Sequence, residues 1–142
     1  MTVSFFGHRD APYSLTTVIE QTVEFLIENE GADRFFVGCN GTFDTMVVKA
    51  LSNLKISHPE IDVCVALAYM PTNKEKPPHG FDTIFPEDAA RALPRFAISA
   101  RNRWMVTSSD VIVTYVKRSF GGAAAAKKYA ASKNKRIIEL SN

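Results

Sequence analysis

Three glycine-bearing turns carry most of the residues in this sequence that could do chemistry. They read Gly7-His8-Arg9, residues 38–44 and residues 119–122, and each directly follows a run of apolar and β-branched residues typical of a β-strand. Glycine lets a backbone approach an anion closely, and the helix after such a turn offers unpaired N–H groups and the positive end of its dipole. Together the three turns predict a binding site for a phosphate group.

Side chains close to these turns could recognise the rest of a ligand. Arg9 and Arg101 could each bind a phosphate through two hydrogen bonds, although Arg101 could instead pair with Asp110 or a glutamate. Asp44, in the first helical turn after Gly41, could accept hydrogen bonds from ribose hydroxyls or cap backbone N–H groups. The candidate ligand-binding residues are Gly7, His8, Arg9, Gly38, Asn40, Gly41, Thr42, Asp44, Arg101, Asn102, Ser119, Gly121 and Gly122.

Several common site chemistries lack their residues here. Neither GxGxxG nor GxxxxGK[ST] occurs, which argues against an ordinary dinucleotide dehydrogenase and against a P-loop NTPase. His8, His58 and His79 are not spaced as a metal cluster, and Cys39 and Cys64 form neither a CxxC motif nor a paired spacing. We therefore expect no metal, no cofactor and no disulfide framework.

The charge of the 142 residues is divided unevenly along the chain. The formal net charge is only +2, but residues 1–71 carry 4 Lys/Arg against 9 Asp/Glu, and residues 72–142 carry 13 against 6. The basic half could face an anion or could simply be a solvated surface. The longest apolar stretch, residues 63–70, is far shorter than the ~20 residues of a membrane span. These features predict a cytoplasmic protein with no membrane partner.

A parallel α/β sheet would bring the three turns together. Strand-like runs alternate with segments of helical periodicity, so we predict a single domain over residues 1–142, a Rossmann-like three-layer sandwich. Its mostly parallel sheet, flanked by helices, is expected to have the order 3-2-1-4-5. Residues 70–82 are expected to form either a lid or a linker. The predicted strands are residues 3–6, 34–39, 62–69, 83–85, 111–116 and 136–140, and helices are expected after Ser14 and Gly41, over 96–108 and from 122 to about 133.

The order of the motifs resembles the SLOG superfamily of Rossmann-like proteins. The motifs are residues 5–9, residues 38–44, Arg101-Asn102-Arg103-Trp104-Met105 with Ser109-Asp110, and residues 119–124. That superfamily includes the LOG phosphoribohydrolases, the DprA/Smf proteins and the YpsA-like proteins, and the sequence is most similar to small YpsA-like members with a Gly-His-Arg first turn. The resemblance covers nearly the whole chain and implies nucleotide binding by Arg101 and the glycine turns, and a homodimer.

One departure from the LOG pattern bears on catalysis. The LOG turn reads P-G-G-x-G-T-x-x-E, and the resemblance implies that its glutamate helps to cleave an N-glycosidic bond. Gly121 and Gly122 match this turn, but Ala124 and Ala125 replace the second Gly-Thr pair and Lys128 occupies the glutamate position. A cation cannot act as a carboxylate general acid or base. The resemblance therefore implies a phosphate cradle without the LOG catalytic apparatus.

Three functions remain open on the sequence alone. The favoured one is binding of a nucleotide-like small molecule by a sensor or regulatory domain. The alternative is a hydrolase or transferase that acts on a nucleoside or nucleotide N-glycosidic bond, with Asp44 or a residue of 70–82 supplying the carboxylate. The third is binding of single-stranded nucleic acid, and the sequence argues against it because few aromatic residues beyond Trp104, Tyr115 and Phe120 accompany the basic ones.

Overall fold

A computed structural model describes residues 1–70 and 80–141, so most of the predicted lid or linker lies outside the described residues. The strands are β1 (Thr2–Gly7), β2 (Arg34–Val37), β3 (Asp62–Ala66), β4 (Asp82–Ile84), β5 (Val111–Tyr115) and β6 (Arg136–Glu139). The helices are α1 (Thr16–Glu30), α2 (Thr42–Ser57), α3 (Glu87–Arg91), α4 (Ala97–Thr107) and α5 (Gly122–Ser132). Within the described ranges, none of these helices combines the length and the apolar character that a membrane span requires.

The six strands form one sheet in the order β4-β3-β2-β1-β5-β6, and every neighbouring pair is parallel. The predicted α/β class, with a Rossmann-like parallel sheet flanked by helices, is confirmed. The predicted order 3-2-1-4-5 is wrong in one respect, because the short strand β4 extends the sheet beyond β3 and β5 takes the place beside β1. The chain therefore changes direction across the sheet between β4 and β5, which opens a crevice where β1 and β5 end.

Two layers of helices bury the two faces of the sheet. Phe5 and Phe6 are neighbours on β1 but belong to different core clusters, because successive strand side chains point to opposite faces. On the Phe5 face, Leu26 of α1 and Leu51 of α2 are fully or almost fully buried. On the Phe6 face, α4 and α5 pack against the sheet, with Met105 fully buried. The central strands are thus covered on both sides, as their apolar sequences indicate.

Two helix boundaries show what local sequence does and does not determine. Gly31 ends α1 in the left-handed conformation, with φ of 74°, which glycine adopts without strain. Ser14, after which the sequence predicts a helix, does not cap it, because residues 13–15 form one turn of 3-10 helix that buries Leu15, and α1 begins only at Thr16. The sequence also does not reveal α3, since five residues are too few to display helical periodicity.

The close contact between β1 and α2 gives a test of the fold. A Cβ atom at Gly7 would lie 2.2 Å from Cγ of the buried Phe43 ring. We expect Gly7→Ala to lower the free energy of unfolding by about 1–3 kcal/mol, the range for overpacked sites, as measured by urea denaturation. Gly122→Ala is the matched control, because the nearest atom to its new Cβ would be 4.0 Å away. Equal stability of the two variants would contradict this packing.

Candidate functional site

A cavity of about 360 Å³ opens at the C-terminal edge of the sheet, in the crevice between β1 and β5. The turns after β1 and β2, the start of α5 and one side of α4 form its walls. Its size falls within the range of small-molecule sites. The structure brings ten of the candidate residues together in its lining, namely Gly7, His8, Arg9, Gly38, Asn40, Asp44, Arg101, Asn102, Gly121 and Gly122.

Three candidate residues do not line this cavity. The Thr42 N–H donates a hydrogen bond to the Arg9 carbonyl oxygen over 2.9 Å. Gly41 has φ of 111°, and a Cβ atom there would lie 2.7 Å from Cα of Arg9. These two residues therefore shape the turn that carries Arg9, whereas Ser119 is exposed beside the third turn.

Six lining residues were not among the candidates. They are Phe5, Phe6, Ile98, Met105, Arg118 and Ala123. Arg118 could have been found from the sequence, because it is a cation in the turn that directly follows β5. The apolar residues give no such signal, since an apolar side chain at the end of a strand or on a helix has the same pattern whether it faces a cavity or the core.

Arg101 of α4 is the central cation of the site, although only 4% of it is exposed. Its Nη1 donates hydrogen bonds to Asn40 Oδ1 over 2.8 Å and to the Ala66 carbonyl oxygen over 3.4 Å. Its Nε and Nη2 donate to Asn102 Oδ1 over 3.1 and 3.0 Å. The suggested partner Asp110 instead accepts a hydrogen bond from the Thr2 N–H at the opposite edge of the sheet. Cys39 is a further hydrogen-bond partner of Arg101, and none of these partners is a carboxylate.

Asp44 lies behind the second turn and is almost completely buried. Its Oδ2 accepts a hydrogen bond from the Asn40 N–H over 2.9 Å. Burial raises the pKa of Asp44 to about 6, although that hydrogen bond and the charges of Arg101 and Arg9 act in the opposite direction. Burial likewise lowers the pKa of Arg101, and Asp44 opposes the change. For Asp44 and for Arg101, the effect of burial on the pKa is thus larger than the opposing effect of the other group's charge.

Gly38 is required between these two side chains. A Cβ atom at this position would lie 2.8 Å from Asp44 Oδ2 and 3.3 Å from both Nη atoms of Arg101. The first of these distances is too short for a normal contact. The glycine of the second turn therefore allows the carboxylate and the guanidinium to approach the same stretch of backbone.

His8 connects the first turn to the third. Its Nε2 accepts a hydrogen bond from the Lys117 N–H over 2.9 Å, which requires the neutral imidazole. Burial and then the charge of Arg118 lower the pKa of His8, while Asp10 and Glu139 act against them. His8 thus lines the cavity, but its Nε2 holds the turn after β5.

The third turn places glycine and a cation at the mouth of the cavity. Gly121 has φ of 95°, a conformation that favours glycine, and α5 begins at Gly122. Arg118 forms an ion pair with Asp10 over 2.9 Å, and its guanidinium lies 5.4 Å from the centre of the Phe120 ring. Lys128 is exposed on α5 and does not line the cavity. The position of the LOG glutamate therefore contributes no group to this site.

One group of metal-ligand type lies elsewhere in the part of the chain that the structure describes. Glu24, Glu28 and His58 each place one possible ligand atom within 4.8 Å of the others. His58 also lies 3.6 Å from carboxylate oxygens of Glu28 and Glu60. Direct contacts of His58 with Glu28 and Glu60 account for its position in this group.

The pKa of Asp44 gives the site a specific dependence on pH. A carboxyl group with a raised pKa favours the folded state increasingly as the pH falls from about 7 to about 4, because the folded protein takes up the proton first. The free energy of unfolding of the wild type minus that of Asp44→Asn should therefore rise over this range. Denaturation at several pH values measures the difference.

Asp33→Asn is the control with the opposite sign. The N-terminal ammonium group donates a hydrogen bond to Asp33, and this contact lowers the pKa of that carboxyl. The contribution of Asp33 to stability should therefore be lost as the pH falls through its folded pKa. The quantity to compare is the slope against pH of the difference in free energy of unfolding between wild type and variant. An equal slope for both variants, or no slope for Asp44→Asn, would show that the pKa of Asp44 is not raised.

Comparison with known proteins identifies structural neighbours only. No protein-family model and no curated protein sequence matches the chain. DNA processing protein A (DprA) from Streptococcus pneumoniae matches with a TM-score of 0.72 and 14% identity, over 99% of this chain and 50% of that one. DNA processing protein A from Helicobacter pylori, for which a single-stranded DNA binding mode is described, matches with a TM-score of 0.64 and 16% identity, over 100% of this chain and 66% of that one.

Sequence identities this low establish a shared fold and no shared activity. The chain spans about half the length of the Streptococcus pneumoniae protein. The six parallel strands and their flanking helices therefore have the Rossmann-like fold that is found in DNA processing protein A.

Proposed function

We propose that this chain binds a phosphorylated, nucleotide-like ligand in the cavity at the C-terminal edge of the sheet. The proposal rests on Arg101, a buried guanidinium in the cavity wall to which no carboxylate is bonded among the described residues. A buried charge without a bonded counterion is costly, and an anion in the cavity would offset that cost. Phosphate is the anion that fits the surrounding groups best.

The third turn supplies further groups for a phosphate. Gly121 and Gly122 lie in the lining where α5 begins, and the first N–H groups of a helix have no partners within the helix. The helix dipole adds a positive potential at the same place. Arg9 and Arg118 are exposed at the cavity and add two more cations.

Other parts of the lining suit a nucleoside. Asp44, Asn40 and Asn102 offer oxygen and amide groups of the kind that bind ribose hydroxyls. Ile98 adds a partly buried apolar side chain that could contact a base. This division between apolar and polar groups is typical of small-molecule sites and supports a nucleotide rather than bare phosphate.

The motif resemblance supports the same proposal at a finer level. The arginine of the SLOG-like motif, Arg101, and the paired glycines, Gly121 and Gly122, lie together in one cavity. We therefore place the chain with the SLOG superfamily, close to the YpsA-like proteins with a Gly-His-Arg turn, and propose a homodimer. Lys128 in place of the LOG glutamate favours a sensor or regulatory role over N-glycosidic cleavage.

The nucleotide proposal is tested by thermal shift and calorimetry with AMP, GMP, thymidine monophosphate and inorganic phosphate. A ligand at 100 times its Kd adds about 2.7 kcal/mol, a shift of about 10 °C for a domain of this size. We expect Arg101→Ala and Arg9→Gln each to weaken binding by about tenfold or more, the usual effect of losing a charged hydrogen bond.

Arg34→Gln is the matched control, because it removes an exposed arginine at the start of β2, on the opposite edge of the sheet. It should bind as the wild type does. Arg9 is exposed as well, so Arg9→Gln tests the cavity even where Arg101→Ala lowers stability. Wild-type affinity in both cavity variants would exclude this cavity as the site.

A second candidate function is binding of single-stranded DNA. The observation that favours it is the fold shared with the Helicobacter pylori protein. The sequence argued against a nucleic-acid partner because few aromatic residues accompany the basic ones. However, Phe120 is 69% exposed beside the cavity, with the Arg118 guanidinium over its ring. An exposed ring next to a cation is a suitable platform for an unpaired base.

Fluorescence anisotropy with a labelled oligothymidine tests this candidate. Phosphate contacts should make the affinity fall between about 50 and about 200 mM salt. Phe120→Ala should cost about 1–3 kcal/mol of binding, the range for one stacked base. Phe25→Ala is the control, since Phe25 is an exposed ring on α1 at the other face of the sheet. Binding that depends on neither salt nor Phe120 would exclude this site for DNA.

A further inference from the structure

A second cavity, of about 470 Å³, opens beside the first between α4 and α5. The two cavities share four lining residues, which are Ile98, Asn102, Gly121 and Gly122. They therefore meet at the start of α5, and a ligand bound in the first cavity could extend into the second along that helix end. The polar lining of the second cavity comes mainly from Arg95, Ser99, Arg103 and Tyr129.

The arginines of this molecule divide into two groups by their partners. Arg34, Arg91, Arg118 and Arg136 form ion pairs with carboxylates. The other four, Arg9, Arg95, Arg101 and Arg103, form no ion pair with a carboxylate within the described residues, and each of the four lines one of the two cavities. The arginines without an ion-paired carboxylate thus all line one of these two adjoining cavities.

The sequence around the second cavity explains this lack of counterions. Residues 89–138 contain eleven Lys/Arg and a single acidic residue, Asp110. The Asp110 carboxylate bonds to the Thr2 N–H at the opposite edge of the sheet. Helices α4 and α5 carry no acidic residue. The lining of the second cavity holds two cations, Arg95 and Arg103, and no acidic residue, so an anion suits it.

Individual side chains of the second cavity are positioned to bind. Arg103 Nη1 donates a hydrogen bond to Ser99 Oγ over 3.0 Å, which holds the guanidinium beside another lining residue. The Arg95 guanidinium lies 4.9 Å from the centre of the half-exposed Phe96 ring. Tyr129 adds an aromatic ring to the opposite wall, and Lys133 Nζ lies 5.4 Å from the centre of that ring. Cations and a flat ring in one cavity are the groups that bind a phosphate and its base.

From these observations we propose that the second cavity is a second nucleotide subsite, so that the ligand of this chain is a dinucleotide. The inference rests on the proposed function of the first cavity. One phosphate would lie between Arg101 and the Gly121 turn, and the second nucleotide would lie against Arg95, Arg103 and Tyr129. The shared chemistry is two nucleosides joined through phosphate, either by a phosphodiester, as in a short oligonucleotide, or by a pyrophosphate.

Calorimetry with matched ligand pairs tests the subsite. The phosphodiester arm compares thymidine monophosphate with the 5′-phosphorylated thymidine dinucleotide, and the pyrophosphate arm compares AMP with pyrophosphate-linked diadenosine. We expect one dinucleotide to bind the wild type at least about tenfold more tightly than its mononucleotide, because a second set of charged hydrogen bonds forms. The arm with the larger gain identifies the linkage.

The variant Arg95→Gln/Arg103→Gln should reduce the affinity ratio of dinucleotide to mononucleotide to about one. Arg91→Gln is the control, because it removes a neighbouring exposed arginine that is paired with Glu87, and it should keep the wild-type ratio. A ratio near one in the wild type, or a full ratio in the double variant, overturns the subsite while the mononucleotide site stands. No binding of any mononucleotide or dinucleotide overturns the proposed function itself.

Discussion

The buried guanidinium of Arg101 is the interaction on which the rest of the site depends. It reaches from α4 to the turn after β2 through Asn40 and to the end of β3 through the Ala66 carbonyl oxygen. Elements that are far apart in the sequence are thus fixed around one cation. Gly38 has no side chain because Arg101 and Asp44 occupy the space that a Cβ atom would need. The requirement for glycine here follows first from the Asp44 carboxylate, the closer of the two groups, and then from the guanidinium.

The charge of Arg101 is only partly balanced by its surroundings, because burial outweighs the opposing effect of Asp44. Burial raises the pKa of Asp44 to about 6, so this carboxylate takes up a proton at a higher pH than an ordinary aspartate does. Asn40 and Asn102 stabilise the guanidinium with neutral oxygens, which lower the cost of burial without cancelling the charge. A site built from a bonded arginine–carboxylate pair would already hold its own counterion. In the function proposed above, the anionic ligand would supply that counterion.

The sequence was informative where a residue type has one physical explanation. Glycines at strand ends and the arginine of the helix predicted over residues 96–108 were found because close approach and charge restrict what such residues can do. The place of β4 in the sheet order was not found, because three residues beside a Pro- and Gly-rich segment show no pattern that indicates which strand they pair with. Ile98 and Met105 were missed as lining residues for a related reason, because an apolar side chain does not reveal whether it faces a core or a cavity.

The uneven charge along the chain becomes an uneven charge across the fold. Helix α1 carries four glutamates and no cation, and it packs on the face of the sheet opposite to α4 and α5, which carry cations and no acid. The crossover after β4 produces this separation, because it moves the basic half of the chain to the other face. An anion that approaches the C-terminal edge is therefore attracted toward the side where α4 and α5 begin. The same crossover that opens the crevice therefore also places basic residues on one side of it.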